Sequence, residues 1–336
     1  MIKSPLMPFY QKNALTQSIL PSIFPDKTDL LFTYRYGIVQ RSFQEVCMAL
    51  TKRLLKKVVN GTSTTEDGNP HSLRVIGSAN AKDFDPFLML DTFDCATSSD
   101  YTKGDQWHPH RGIETITYMF DGSINNEDTL GHTECVKGGC CQWITAGCGI
   151  LHNEIPVKSS HMYGFQLWLN MPASKKMMMP VCRETGPDGI PFITENGSRI
   201  SVVAGSFLGK SSAIQGQCVD ATILDIALDA GAIIGIPVTV KNTVFVYILE
   251  GSLSFNTENG KKSLGRGNAV LLTDGEMVDL STTSETGARC VLFSGAPLHE
   301  PIAWGGSIVM NTAEELDQAF AELEEDRFIT VEYVEE

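Results

Sequence analysis

Glu114-Thr-Ile-Thr-Tyr-Met-Phe-Asp-Gly122 and Thr243-Val-Phe-Val-Tyr-Ile-Leu-Glu-Gly251 share one pattern. Each is a run of β-branched and aromatic residues closed by acid-glycine, which reads as a strand followed by a tight turn. A second pair keeps the same order: Val136-Lys-Gly-Gly-Cys-Cys-Gln-Trp-Ile144 and Leu264-Gly-Arg-Gly-Asn-Ala-Val-Leu-Leu272. Matched segments in matched order predict an internal duplication of one β-unit. From Leu73 onward, short β-rich runs alternate with Gly, Asn and Asp turns; Gly164-Phe-Gln-Leu-Trp-Leu-Asn170 before Met171-Pro172 is one. This texture predicts an all-β sandwich or barrel.

Four units follow. Residues 1–51 read as an N-terminal extension, poorly ordered or a targeting segment. Residues 52–180 form a first barrel. The Pro- and Gly-rich stretch 181–197 is a linker, and 198–336 form a second barrel ending in an acidic helix and tail. Segment 1–25 has two Lys, no acid and no Arg, a weak match to an import peptide. Near the end, Thr312 and Glu315 form a capping box, and Leu316, Phe320 and Leu323 mark one helical face. That helix is expected to pack on a barrel.

The chain has 336 residues, 42% of them hydrophobic and 20% charged, enough for two domains with proper cores. No run approaches the length of a membrane-spanning helix. The net charge is −14, and ten acids against one arginine in 311–336 supply −9 of it. The remainder is only mildly acidic, with no basic face to neutralise phosphates, so direct nucleic-acid binding is not expected. A neutral small molecule or a protein partner fits the charge, and a monomer is expected. Lys52-Arg53-Leu54-Leu55-Lys56-Lys57 reads as a solvated edge, with a nuclear address or a surface helix as alternatives.

Nine cysteines and no secretory signal indicate reduced thiols and an intracellular setting. Cys135, Cys140, Cys141 and Cys148 lack zinc-finger spacing and read as core or strand thiols. The Asn60-Gly-Thr62 and Asn196-Gly-Ser198 triplets are then chance matches to a glycosylation signal. Gly205-Ser-Phe-Leu-Gly209-Lys210-Ser211 is one residue too short for a phosphate-binding loop.

The chemistry concentrates in His108-Pro109-His110 and His152-Asn153-Glu154. Residues two apart on a strand point the same way. Two such strands side by side aim three imidazoles and one carboxylate at one point, a mononuclear metal site. Fe, Mn, Co, Ni, Cu and Zn all suit these donors. Four protein ligands leave two octahedral positions for water, substrate or dioxygen. Glu114 competes for the carboxylate role, as a ligand or as a group orienting a histidine, because it shares parity with His108 and His110. Arg111 has opposite parity and should face away, into a surface ion pair.

Several of these stretches resemble the pirin family of the cupin superfamily: Asp85-Pro-Phe-Leu-Met-Leu-Asp91, His108-Pro-His-Arg-Gly112 with Glu114-Thr115, Thr145-Ala-Gly-Cys-Gly-Ile-Leu-His-Asn-Glu154, and Phe165-Gln-Leu-Trp-Leu-Asn170. The resemblance runs from about residue 52 to about residue 330. It implies a bicupin, two antiparallel β-barrels face to face, with metal only in the first. It also implies iron, Fe(II) or Fe(III), held by His108, His110, His152 and Glu154. Two functions follow from it. One is quercetin 2,3-dioxygenase activity on a flavonol, with Glu154 relaying a proton as well as ligating. Phe87, Trp107, Phe165 and Trp168 are then candidate pocket walls, with core packing as their alternative role. The other is an iron-dependent nuclear co-regulator that docks a transcription factor without catalysis. A degenerate cupin with purely structural metal is a third reading.

Overall fold

Side-chain parity sorts the apolar runs into four main sheets. The computed structural model describes residues 50–64, 72–95 and 107–329. Nearly all of the expected N-terminal extension, and the tail after Ile329, lie outside the described residues.

One seven-stranded sheet carries, in spatial order, Val181–Thr185, Cys141–Thr145, Ile113–Asp121, Met162–Asn170, Phe87–Cys95, Ser72–Ile76 and Thr62–Thr64. It faces a four-stranded sheet of His108–His110, Ile150–Pro156, Ser123–Asp128 and Thr133–Lys137. The second half repeats the plan. Its seven strands are Leu55–Asn60, Asn268–Leu272, Thr243–Glu250, Ala288–Gly295, Ala221–Leu228, Ser198–Ala204 and Phe192–Glu195. Its four are Ile233–Pro237, Met277–Ser281, Ser252–Thr257 and Gly260–Gly265. The matched strands Ile113–Asp121 and Thr243–Glu250 each stand third from an edge, so the duplication in the sequence is a duplication of the fold. The hydrogen-bonded ladders stay open at their edges, so each unit is a two-sheet sandwich rather than a closed barrel; the all-β bicupin class stands.

Alternation along the strands makes two kinds of core. Ile116, Tyr118, Trp143, Phe165 and Leu167 face outward from the first seven-stranded sheet, onto Phe245, Tyr247, Leu271 and Phe293 of the second. The Phe245 and Phe293 rings stack at 4.5 Å, and Phe87 meets Phe245 edge-on at 5.1 Å. The opposite parity of the second sheet, Val244, Val246, Val270 and Leu292 among them, fills the interior of its own sandwich. In the first sandwich that inner face instead presents Thr117, Gln142 and Gln166. Polar residues on an inner face are unexpected unless a site lies there.

The chain ends cross over, which moves the expected domain boundaries. Leu55–Asn60 pairs with Asn268–Leu272, so the first described strand belongs to the second unit. The supposed linker is split: Val181–Thr185 pairs with Cys141–Thr145 of the first unit, and Phe192–Glu195 with Ser198–Ala204 of the second. Conversely, the hairpin Ala303–Gly305/Ile308–Met310 lies on the first unit, where Val309 N donates to Arg111 O at 3.1 Å. The helix Ala313–Glu324 follows, with the expected capping box at Thr312 and Glu315. Leu316 and Leu323 pack against a cluster of Ile308, Met310, Ala319 and Phe328. Arg111 faces away from the histidines, as parity required; its guanidinium is buried and pairs at 2.7 Å with Glu322, which is partly exposed. Its guanidinium also lies 4.1 Å over the Phe328 ring.

The basic cluster 52–57 is not a surface helix. Arg53 is buried and donates to the carbonyls of Thr239, Val240, Asn242, Thr273 and Gly275. Lys52 and Lys57 are paired with Asp279 and Asp83. The stretch 205–211 forms a small ladder of Ser206–Phe207 with Lys210–Ser211, not a phosphate loop.

Candidate metal centre

His108-Pro109-His110 is an edge strand, the place where proline's missing N–H costs nothing. Ile150–Pro156 lies beside it in a register that sets His152 opposite His108. Residues directly opposite in an antiparallel pair share a face. The three imidazoles therefore converge, with ring centroids 4.3 to 4.8 Å apart. His108 Nε2 and His110 Nε2 stand 3.2 Å apart. A ligand atom from each of the three rings lies within 4.8 Å of the others.

The outer edge of this strand is covered by the C-terminal hairpin. Ser307 Oγ donates to Pro109 O, and Ser307 O lies 3.1 Å from His110 Nδ1. That carbonyl can only accept, so His110 carries its proton on Nδ1 and presents Nε2 unprotonated to the centre. His152 is fully buried, and neither of its nitrogens has a hydrogen-bond partner. Burial, and then the charge of His108, lowers the His110 pKa to about 3, against the pull of the Ser307 carbonyl. Burial and the other two histidines hold His152 well below the usual imidazole range. Three converging imidazoles, one with both nitrogens orphaned in the interior, are a donor set that fits a transition-metal ion.

Glu154 follows His152 at the same parity and lines the same cavity. Gln166 Nε2 donates to its Oε2 at 2.8 Å, and Thr117 Oγ1 lies 3.4 Å from its Oε1. Glu114 is elsewhere. The parity argument for it assumed one continuous strand, but Gly112 at φ 74° turns the chain into another sheet. Glu114 points away from the histidines, is buried, and accepts from Thr145 Oγ1 at 2.8 Å.

The cavity holds about 950 Å³, within the range of small-molecule sites. His108, His110 and Glu154 form one side of it, and Met89, Gln166 and Trp168 another. The crossing segments close it, since Asn60 comes from the first described strand and Trp304 and Ser307 from the C-terminal hairpin. Of Phe87, Trp107, Phe165 and Trp168, only Trp168 lines the cavity, its ring 5.1 Å from His110. Phe87 and Phe165 are buried between the two units, because Phe165 has the opposite parity to Gln166 and Trp168. Trp107 is 48% exposed and is not among the lining residues. Gln166 went unnoticed, although a polar residue inside an apolar strand is a readable signal. The hairpin residues carry no local signal of the site.

In the second unit the equivalent strands bring Ile234, Ile236, Val278 and Leu280 inward, where the first unit has its histidines.

A family profile described as Pirin matches residues 70–169, and one described as Pirin C-terminal cupin domain matches residues 223–329. The chain belongs to the pirin family. A pirin-like protein of Caulobacter vibrioides is 37% identical over 82% of this chain and 99% of its own length. Human pirin is 34% identical over 79% of this chain and 91% of its own. Among solved structures, quercetin 2,3-dioxygenase from Acinetobacter baumannii superposes with a TM-score of 0.73 at 28% identity, covering 82% of this chain and 98% of that one. No helix among the described residues is long and apolar enough to cross a membrane.

Proposed function

We propose that the chain is a metal-dependent dioxygenase of the quercetin 2,3-dioxygenase type, acting on a flavonol-like small molecule. The observation that carries this is His152, a buried imidazole without a hydrogen-bond partner, set beside two others at the floor of a cavity large enough for a polycyclic ligand. The likeness to a structure named for that activity supports the substrate class.

His108, His110 and His152 would hold the metal, with Glu154 as a fourth ligand, and the ion, iron by family resemblance, would supply Lewis acidity toward the substrate hydroxyl. Glu154 also accepts the proton of the substrate hydroxyl on a carboxylate oxygen, and Gln166 keeps that carboxylate aimed at the cavity. Met89, Trp168 and Trp304 provide apolar faces for the aromatic rings and exclude water from them. A docking role for a transcription factor draws no support from the basic cluster 52–57, whose arginine is buried and whose Lys52 and Lys57 are paired.

Oxygen consumption by the iron-loaded protein with quercetin tests the reading. Uptake that needs metal and vanishes in Trp168→Asp as well as His110→Ala supports it. No uptake with iron bound stoichiometrically refutes catalysis on this substrate class.

A further inference from the structure

Asp128, His132 and Cys182 bring a carboxylate oxygen, an imidazole nitrogen and a thiol sulfur within 4.8 Å of one another. The first two residues flank the turn between Ser123–Asp128 and Thr133–Lys137; the third lies on the edge strand Val181–Thr185. These strands stand at one edge of the first sandwich. The cavity draws on His108–His110 and Ser72–Ile76, toward the opposite edge. The cluster is thus a different set of donors from the three histidines, although Asp128 stands opposite His152 in the ladder.

The donors are held in place. Asp128 Oδ1 accepts from Leu130 N at 2.8 Å and from His132 N at 3.1 Å, which locks the turn. Asp128 Oδ2 stands 2.9 Å from His132 Nδ1, a hydrogen-bond distance that need open only to about 3.3 Å for both to share one tetrahedral ion. Two further carboxylates crowd the corner. Glu134 Oε2 is buried without a hydrogen-bond partner. Glu184, two residues from Cys182 on the same face, is pushed up to about 7 by burial and then by Glu134. Burial, then Asp128, Glu134 and Glu184, also lift the Cys182 thiol to about 12. Several acids and a thiol thus gather around one imidazole, with Lys137 and Arg183 as the nearby cations.

We propose that Asp128, His132 and Cys182 form a second metal site, which takes one borderline divalent cation of the Zn²⁺ class, with Glu134 as the fourth donor. The mixed oxygen, nitrogen and sulfur set suits such an ion. As the sulfur–metal bond forms, the Cys182 thiol releases its proton to solvent. The ion ties the edge strand to the hairpin. Asp128 is also paired across the ladder with His152, so the tie steadies the strand that carries the histidine centre.

Co²⁺ added to the full-length apoprotein tests this. A thiolate-to-cobalt charge-transfer band in the near ultraviolet arises only where sulfur ligates, and the histidine centre has none. The expected result is a band whose full intensity corresponds to one of two bound equivalents, that is displaced by Zn²⁺, and that is lost in Cys182→Ser and in Asp128→Asn. Cys182→Ser keeps the far-ultraviolet circular dichroism of the wild type and its Co²⁺ uptake at the histidine centre. No band in the wild type with excess Co²⁺, or an unchanged band in Cys182→Ser, overturns the proposal and leaves Asp128–His132 as an ion pair that closes a turn.

Discussion

Gln166 donates from Nε2 to Glu154 Oε2 at 2.8 Å and accepts from Trp168 Nε1 at 3.2 Å through its own Oε1. One amide thereby ties the carboxylate beside the three imidazoles to the aromatic wall of the cavity. Partners of metal ligands typically govern affinity by about 10–100-fold. Gln166→Leu is predicted to weaken metal binding by about that factor while the protein stays folded. Competition with a chelator measures it, and unchanged affinity would remove Glu154 from the ligand set.

The histidine centre predicts an acid-sensitive apoprotein. Unfolded imidazoles take up protons below about pH 6.5, whereas folded His110 resists protonation down to about 3. The unfolded state thus binds more protons in this window. Stability is present above it and falls as pH drops through it, by about 1.4 kcal/mol per pH unit for each such histidine. His152, lowered for the same reason, adds to the slope. Denaturant midpoints of the apoprotein at a series of pH values check this, and His152→Leu should flatten the curve.

The core between the two units bears on stability and not on the site. Phe293 packs on Phe245, Phe87 and Phe165, and none of these reaches the cavity. Phe293→Ala is predicted to cost about 3–5 kcal/mol. Metal content at low temperature should match the wild type.

Arg111 joins the C-terminal helix to the strand of the histidine centre. Besides its pair with Glu322, Arg111 donates to Cys148 O and Phe328 O, and leaving such buried acceptors unpaired costs about 1–3 kcal/mol. Arg111→Met should therefore raise hydrogen exchange in Ala313–Glu324. Through Ser307, which contacts both Pro109 and His110, it should also lower metal affinity. Helix protection equal to the wild type would separate the helix from the centre.

The duplication and the strands were legible because alternation in runs such as Thr243–Glu250 is strong and local. His108, His110 and His152 were legible because spacing of two on a strand has one geometric meaning. Glu114 misled for the same reason: parity holds only along an unbroken strand, and Gly112 breaks it. Phe87 and Phe165 misled because an aromatic residue at either parity finds an apolar partner in a bicupin, inside the sandwich or between the units. The crossing of the chain ends was not legible. Leu55–Asn60 and Ala303–Met310 take their places through pairing with residues about two hundred positions away, and no local pattern encodes such a partner.

Iron stoichiometry at neutral pH, in a Cys182→Ser background and with His152→Ala beside it, tests the central claim most directly. The account predicts one iron per chain in the background protein and close to none once His152 is lost, with the second unit still folded. Iron retained by the His152→Ala variant, or none bound by either protein, would contradict a metal centre at the three imidazoles.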